Sequence, residues 1–155
     1  MILISLLGEQ PIPNLLPLWQ YGTEFSAVRF VVSDSTWQVA ETLRAMIPQD
    51  SQLQHLQVLA PIRVEPYEIA SAAARLRDAF TAYQLEGHAL MVNITGGTKL
   101  MSLAAMQAAQ DSAASLMYVA TERNEIITYQ PDGVETRRDT IRVNISVEQY
   151  MAAHA

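Results

Sequence analysis

Short apolar runs alternate with longer segments of helical period along most of this chain, and this alternation leaves few folds open to it. Met1–Leu7 and Ala27–Val32 are each apolar over about the length of one strand, whereas Tyr67–Tyr83 places its apolar residues three or four apart. Alternating strands and helices are typical of a parallel sheet covered by helices. The sequence therefore predicts an α/β domain with a mostly parallel central sheet.

The predicted elements follow this alternation. We expect strands over residues 1–7, 27–32, 55–59, 89–94 and 116–120, and helices over residues 14–19, 67–83 and 98–111. A further helix, ended by Pro48, is expected after the second strand, with Ser35 and Gln38 forming its capping box. After residue 120, the run Glu125–Tyr129, the turn residues 131–133 and the alternating residues 141–145 predict an antiparallel hairpin near the C-terminus.

Length and charge limit the classes of function. With 155 residues, half of them apolar, the chain can form one well-filled core, so we expect one domain. A net charge of −6 with ten basic residues argues against binding of long nucleic acid, which needs many phosphate contacts.

The chain has no cysteine, and its three histidines lack metal-binding spacing, so we expect no metal. Residues 1–7 resemble neither a signal peptide nor a membrane span, which predicts a soluble cytoplasmic protein without a membrane partner.

The segment Asn93–Lys99 joins a predicted strand to a predicted helix and contains the only lysine of the chain. Its glycines, Gly96 and Gly97, allow backbone N–H groups to approach a ligand, and the helix start adds a partial positive charge. Thr95, Thr98 and Lys99 add hydroxyl donors and a full charge. This pattern predicts an anion site. The alternative is an ordinary turn followed by a solvated lysine. The segment is not a P-loop, and the chain has no GxGxxG.

Some residues allow two interpretations each. Asp34 could contact a ribose or cap a helix, and Trp19 and Trp37 could stack on adenine or fill the core. Arg137 and Arg138 could clamp phosphate, but neighbouring residues of a strand point to opposite faces. The helix at 98–111 is so apolar that we expect it to be deeply buried or covered by a second subunit.

Two motifs resemble one known family. Residues 1–14, with the loop Gly8-Glu9-Gln10-Pro11, and residues 92–101, with the glycine turn, resemble the CRISPR-associated Rossmann fold (CARF) domain, in particular that of type III CRISPR nucleases activated by cyclic oligoadenylate. The resemblance implies a Rossmann-like three-layer fold and a CARF ligand-sensing domain over residues 1–146. Residues 147–155 resemble the start of a connection to an effector domain, and no nuclease segment follows them.

The same resemblance implies a homodimeric sensor that binds cyclic tetra-adenylate, the second messenger of type III CRISPR antiviral signalling, on its two-fold axis, without a cofactor. An effector would be fused or separate. The implied ligand-binding residues are Gly8, Glu9, Gln10, Pro11, Thr95, Gly96, Gly97, Thr98 and Lys99.

The alternative within this family is a slow, metal-independent ring nuclease, in which Lys99 stabilises developing charge and Thr98 and either Ser5 or Gln10 orient the reacting groups. A different nucleotide-binding enzyme and an interaction module without a ligand also remain open.

Overall fold

A computed structural model describes residues 1–155 as eight strands and five α-helices. The strands are β1 (Ile2–Leu6), β2 (Ala27–Val32), β3 (Gln57–Val58), β4 (Ile62–Arg63), β5 (Leu90–Asn93), β6 (Ser115–Ala120), β7 (Glu125–Tyr129) and β8 (Glu135–Thr140). The helices are α1 (Ile12–Tyr21), α2 (Trp37–Met46), α3 (Ile69–Leu85), α4 (Lys99–Ser112) and α5 (Val147–Ala153). None of these helices combines the length and the apolar character that crossing a bilayer would require.

The strands form one mixed sheet in the order β3-β2-β1-β5-β6-β7-β8, and β4 also pairs with β2. The strands from β3 to β6 run parallel, whereas β7 is antiparallel to both of its neighbours. The chain builds outward from β1 through β2 and then returns to place β5 on the other side of β1. The loops that follow β1 and β5 therefore lead to helices on opposite faces of the sheet, α1 and α4. Open α/β sheets bind ligands at the carboxyl edge where neighbouring strands connect to opposite faces in this way.

Helices cover both faces of the sheet and bury β1 over its whole length. Leu3 and Phe30 belong to the core beneath α1 and α2, whereas Ile4 and Phe80 belong to the core beneath α3 and α4. This burial of alternate residues on two faces explains why β1 is apolar at every position except Ser5. The Rossmann-like three-layer α/β fold, with a mostly parallel sheet and a C-terminal hairpin, is confirmed.

Small side chains allow α4 to pack closely against α3 and the sheet. The alanines of α4 that are fully buried in this layer are Ala104, Ala105, Ala108 and Ala109. Leu103, on another side of the helix, is 52% exposed. Helix α4 thus has one apolar side that is buried within the chain, and it carries an exposed apolar residue, Leu103, on another side.

The second strand of the hairpin lies earlier in the chain than the alternating pattern predicts. It is β8, a charged strand at the sheet edge, and not residues 141–145. Arg138 stabilises this edge by ion pairs with Glu125 of β7 and with Glu135. The alternating residues Ile141 and Val143 instead follow the sheet as irregular chain and pack on the core beneath α1.

Two further details differ from expectation. The third strand, expected over residues 55–59, is shortened to the two residues of β3. A second two-residue strand, β4, pairs with β2 after Pro61, which has no N–H to donate to a ladder. The capping box before α2 is formed by Ser33 and Thr36, not by Ser35 and Gln38: Ser33 N–H donates to Thr36 Oγ1 at 3.0 Å.

Candidate functional site

The loops after β1 and β5 touch each other at the carboxyl edge of the sheet. A Cβ atom on Gly96 would stand 2.8 Å from the Gly8 nitrogen and even closer to the Leu6 carbonyl oxygen, both of them backbone atoms. A Cβ on Gly8 would in turn stand 3.3 Å from the Gly97 nitrogen. The two motifs singled out in the sequence are therefore one site, and Gly96 is required by close backbone approach.

Gly97 completes the turn that leads into α4. Its φ of 76° lies in the left-handed region, which glycine adopts without strain. A side chain here would also meet Met101, whose Cε lies 3.0 Å from an added Cβ. The turn therefore depends on both glycines, for different reasons.

Beneath this turn lies a buried polar cluster formed by Ser5, Asn14 and Asn93, each fully buried. Ser5 Oγ accepts hydrogen bonds from Asn14 Nδ2 at 2.8 Å and from Asn93 Nδ2 at 3.2 Å. Asn14 Nδ2 also donates to the Leu6 carbonyl at 2.7 Å, and Asn93 Nδ2 to the Pro13 carbonyl at 3.2 Å. These bonds tie the end of β1, the start of α1 and the end of β5 into one rigid base for the site.

The two threonine hydroxyls expected to contact a ligand are already engaged within the chain. Thr95 donates to Asn93 Oδ1 at 2.6 Å and accepts from Val119 N–H at 2.8 Å. Thr98 donates to the Pro66 carbonyl at 2.6 Å and accepts from Met101 N–H at 3.1 Å, which makes it the N-cap of α4. Both side chains therefore fix the shape of the turn.

Donors for an anion remain on the backbone and on Lys99. The N–H groups of Gly96, Gly97 and Lys99 donate no hydrogen bond to backbone or side chain. Lys99 is exposed and forms no ion pair with a carboxylate of the chain. These groups lie at the N-terminus of a 14-residue helix, whose dipole adds positive potential.

The loop after β1 forms the other wall. Gly8 is half-buried, Glu9 and Gln10 are exposed, and Pro11 is buried at the start of α1. Gln10 offers amide donors and acceptors beside the turn, whereas the Glu9 carboxylate would repel phosphate and suits a hydroxyl group better. The expected ligand residues of this loop thus differ in the chemistry they offer.

Ser5 lies below this surface and is not exposed to solvent. Its hydroxyl oxygen accepts two amide hydrogens, so its influence on a bound ligand would pass through Asn14 and Asn93. The Asn14 Oδ1 atom is buried without a hydrogen-bond partner. Neither asparagine was expected to have a role in the site, although both stand at the ends of buried segments, where an amide is unusual.

Arg137 and Arg138 point to opposite faces of β8, as strand geometry requires. Arg137 pairs with Glu24 at 3.3 Å and with Asp139 at 2.5 Å, and its guanidinium lies 4.4 Å from the Tyr21 ring centre. Arg138 pairs with two glutamates on the other face. Neither arginine approaches the glycine turn as a free phosphate clamp.

The hydrogen bond between Tyr21 and Asp139 perturbs both groups. Burial, followed by the hydrogen bond to Asp139, raises the pKa of Tyr21 to about 12. The same bond, at 2.6 Å, lowers the pKa of Asp139. These shifts belong to the contact between α1 and β8 and not to the glycine turn.

Asp34 and Trp37 lie at the carboxyl edge, near the loop after β4. Asp34 does not act as the cap and instead approaches Arg63, with its Oδ1 3.4 Å from Nε. The Arg63 guanidinium lies 4.5 Å from the ring centre of half-buried Trp37. Trp19, by contrast, is buried in the core and donates to Asp50 at 3.0 Å.

Metal-binding side chains do not converge in the structure. No group of three or more His, Cys, Asp or Glu residues is placed to hold a metal ion. His88 lies before β5, at the opposite edge of the sheet from the glycine turn.

Solved structures share this fold. Can2 from Sulfobacillus thermosulfidooxidans, solved in complex with cyclic tetra-adenylate, has a TM-score of 0.80 at 20% identity, over 98% of this chain and 40% of its own. The protein VC1899 from Vibrio cholerae has a TM-score of 0.83 at 12% identity, over 98% and 38%. A type III CRISPR defence DNA nuclease activated by cyclic oligoadenylate has a TM-score of 0.74 at 16% identity, over 99% and 23%.

The chain spans less than half the length of each of these three structures. Comparison with curated protein sequences gave no match. A sequence profile of the Card1 CARF domain, however, matches residues 2–150, nearly the whole chain, and the chain therefore belongs to the Card1 CARF domain family.

Proposed function

We propose that this domain is a sensor of cyclic oligoadenylate in type III CRISPR signalling, with cyclic tetra-adenylate as its ligand. The observation that carries the proposal is the set of free donors at the glycine turn: the N–H groups of Gly96 and Gly97 and the ammonium group of Lys99. Phosphodiester oxygens are suitable acceptors for all of them. Membership of the CARF family and the ring bound in the Can2 structure support this choice of anion.

Ligand symmetry supports a homodimer. One chain has a single lysine and a net charge of −6, which is few positive charges for a ring with four phosphates. Two copies of the turn related by a two-fold axis would give each half of the ring one Lys99 and one set of backbone donors. The complementary surface is the outer side of α4 with the adjoining strand β6, where Leu103 is 52% and Tyr118 42% exposed. Burial of these side chains against a second copy would remove apolar area from water.

Ring cleavage is the second candidate, because Lys99 follows the free N–H groups of the glycine turn, is exposed, and forms no ion pair with a carboxylate of the chain. Such an arrangement can stabilise charge that develops when a ribose 2′-hydroxyl loses its proton and attacks its own phosphodiester. The bond from phosphorus to the 5′-oxygen of the next nucleotide breaks, that oxygen takes up a proton, and a 2′,3′-cyclic phosphate remains. In this scheme Lys99 is catalytic and Thr98 orients the turn. Ser5 acts on the turn only indirectly, through its hydrogen bonds with Asn14 and Asn93. We expect linear products in the presence of a chelator; an intact ring after long incubation would contradict cleavage.

We further propose that the sensor acts in the cytoplasm and passes its signal to an effector, fused or separate, through the C-terminal segment. Helix α5 leaves Val147, Tyr150 and Met151 exposed, which gives such an effector an apolar contact. Solved structures of greater length with the same fold, one of them a DNA nuclease activated by cyclic oligoadenylate, support this connection.

Substitution of the lysine tests the sensing proposal. Lys99→Ala should weaken binding of cyclic tetra-adenylate by at least tenfold in isothermal titration, while Arg44→Ala on α2, where the arginine pairs only with Glu41, should leave it unchanged. Equal affinity of the Lys99→Ala and unsubstituted proteins would contradict the role given to this lysine.

A further inference from the structure

A cavity of about 510 Å³ opens at the carboxyl edge, between the loop after β2 and the loop after β4. Its lining includes Ser35, Arg63, Glu65 and Tyr67. Pro66 also lines it, and the Pro66 carbonyl accepts the hydroxyl of Thr98, the N-cap of α4. One wall of the cavity is therefore attached directly to the helix start that offers the anion donors. A ligand with a phosphate at that helix start has this cavity as its neighbour.

The cavity presents flat groups on which a nucleobase can stack. Arg63 is held over Trp37 at 4.5 Å from the ring centre, yet its side chain remains 54% exposed. Tyr67 is 71% exposed at the same cavity. Bases stack both on guanidinium planes and on aromatic rings, and such stacking does not require a particular charge on the ligand.

The charges of the lining favour a base over a phosphate. Arg63 is the one cation of the cavity, and Asp34 and Glu65 are its anions. Asp34 approaches Arg63, whereas Glu65 is exposed and forms no ion pair. An unpaired carboxylate repels phosphate, but it accepts a hydrogen bond from an amine, such as the exocyclic amine of adenine.

We propose that this cavity is the adenine subsite of the sensor, in which the base stacks against Tyr67 and Arg63 and donates its exocyclic amine to the Glu65 carboxylate. The inference rests on the proposed function, because it assumes an adenylate ring at the glycine turn. A dimer would present two such subsites, so two of the four bases of cyclic tetra-adenylate would be recognised in this way.

A ligand in which a carbonyl group replaces the exocyclic amine of each adenine tests the role of Glu65. The unsubstituted protein should bind cyclic tetra-adenylate at least tenfold more tightly than cyclic tetra-inosinate, whose carbonyl oxygen the carboxylate repels. Glu65→Gln should reduce this ratio about tenfold, because an amide N–H can donate to that oxygen. Glu86→Gln, about 25 Å away at the far end of α3, is the matched control and should retain the ratio.

Substitution of the aromatic ring tests the stacking surface. Tyr67→Ala should weaken binding of cyclic tetra-adenylate about tenfold, and Tyr67→Phe should restore it, since stacking needs only the ring. The Tyr67 side chain is exposed, so neither substitution should alter folding, and circular dichroism serves as the check.

The outcomes separate this inference from the proposed function. One set of results would overturn the adenine subsite and retain the sensor. In that case Lys99→Ala would weaken binding of cyclic tetra-adenylate, Tyr67→Ala would leave the affinity unchanged, and Glu65→Gln would leave the ratio of the two affinities unchanged. Failure of the unsubstituted protein to bind either ring would overturn both.

Discussion

Thr98 donates its hydroxyl hydrogen to the Pro66 carbonyl at 2.6 Å while its oxygen caps α4. A single side chain thus links the loop after β4 to the first turn of the helix that offers donors to an anion. The sequence places these residues 32 positions apart. The shape of the glycine turn and that of the neighbouring cavity should therefore depend on the same hydroxyl group.

Removal of this hydroxyl should affect both stability and binding. Thr98→Ala loses the cap and leaves the Pro66 carbonyl without its donor, so we expect the free energy of unfolding to fall by about 1–2 kcal/mol. Urea unfolding measures this change, and titration should show weaker binding of cyclic tetra-adenylate. Thr98→Ser keeps the hydroxyl and should retain most of both; equal loss in the two variants would contradict the role of the hydrogen bonds.

A methyl group at Gly96 should separate the two loops. The added Cβ would meet the backbone of Leu6 and Gly8, neither of which can move as a flexible side chain does. We expect Gly96→Ala to lower the free energy of unfolding by about 1–3 kcal/mol and to abolish ring binding.

Gly22→Ala is the matched control for that substitution. An added Cβ at Gly22 has its nearest contact at 3.5 Å, on the His55 side chain, and no unusual backbone angle. This variant should fold and bind like the unsubstituted protein. If Gly96→Ala is tolerated equally well, the close approach of the two loops is not essential.

Alkaline pH should weaken the contact between α1 and β8. The pKa of Tyr21 is raised to about 12 in the folded chain, by burial and then by the hydrogen bond to Asp139, whereas an unfolded tyrosine ionises near 10. The stability that depends on neutral Tyr21 is therefore complete below about pH 10 and is lost as the pH rises from there to about 12. Arg137, close to the same ring, favours ionisation and limits the shift.

Tyrosine absorbance titration measures this effect. One of the six tyrosines should ionise only at about pH 12, and Tyr21→Phe should remove that late step. Ionisation of all tyrosines near pH 10 in the folded protein would show that Tyr21 is not protected.

The long buried elements could be predicted from the sequence, because β1 and β2 bury residues on both faces and are apolar at every position except Ser5 and Arg29. The edge strand β8 could not, since its residues are charged and pair across the ladder, with Arg138 contacting Glu125. The apolar residues at 141–145 gave the false signal, as they pack on a helix-covered core without forming a strand.

The candidate site was predictable in its backbone and not in its side chains. The glycine spacing and the position of Lys99 follow from local pattern, and the turn lies at the expected strand end. The direction of the Thr95 hydroxyl depends on Val119, in a different strand, and the cluster of Ser5 with Asn93 joins residues 88 positions apart. Such contacts depend on strand order, which local periodicity does not specify.

Disruption of the exposed side of α4 should prevent assembly. Leu103 is half-exposed, so Leu103→Asp should fold normally and place a charge where the proposed dimer contact is apolar. The molar mass measured by light scattering should fall from twice the chain mass of 17.2 kDa to the mass of one chain. Leu85→Asp, at a side chain 85% exposed at the end of α3, is the control and should leave the dimer intact. A monomer in the unsubstituted protein, with or without ligand, would contradict the proposed dimer.

Whether two chains share one ring can be decided by calorimetric titration of the unsubstituted protein with cyclic tetra-adenylate, because the stoichiometry reports ligand and assembly together. We expect saturation at one ring per two chains. Saturation at one ring per chain, or no binding heat over a range of temperatures, would contradict it.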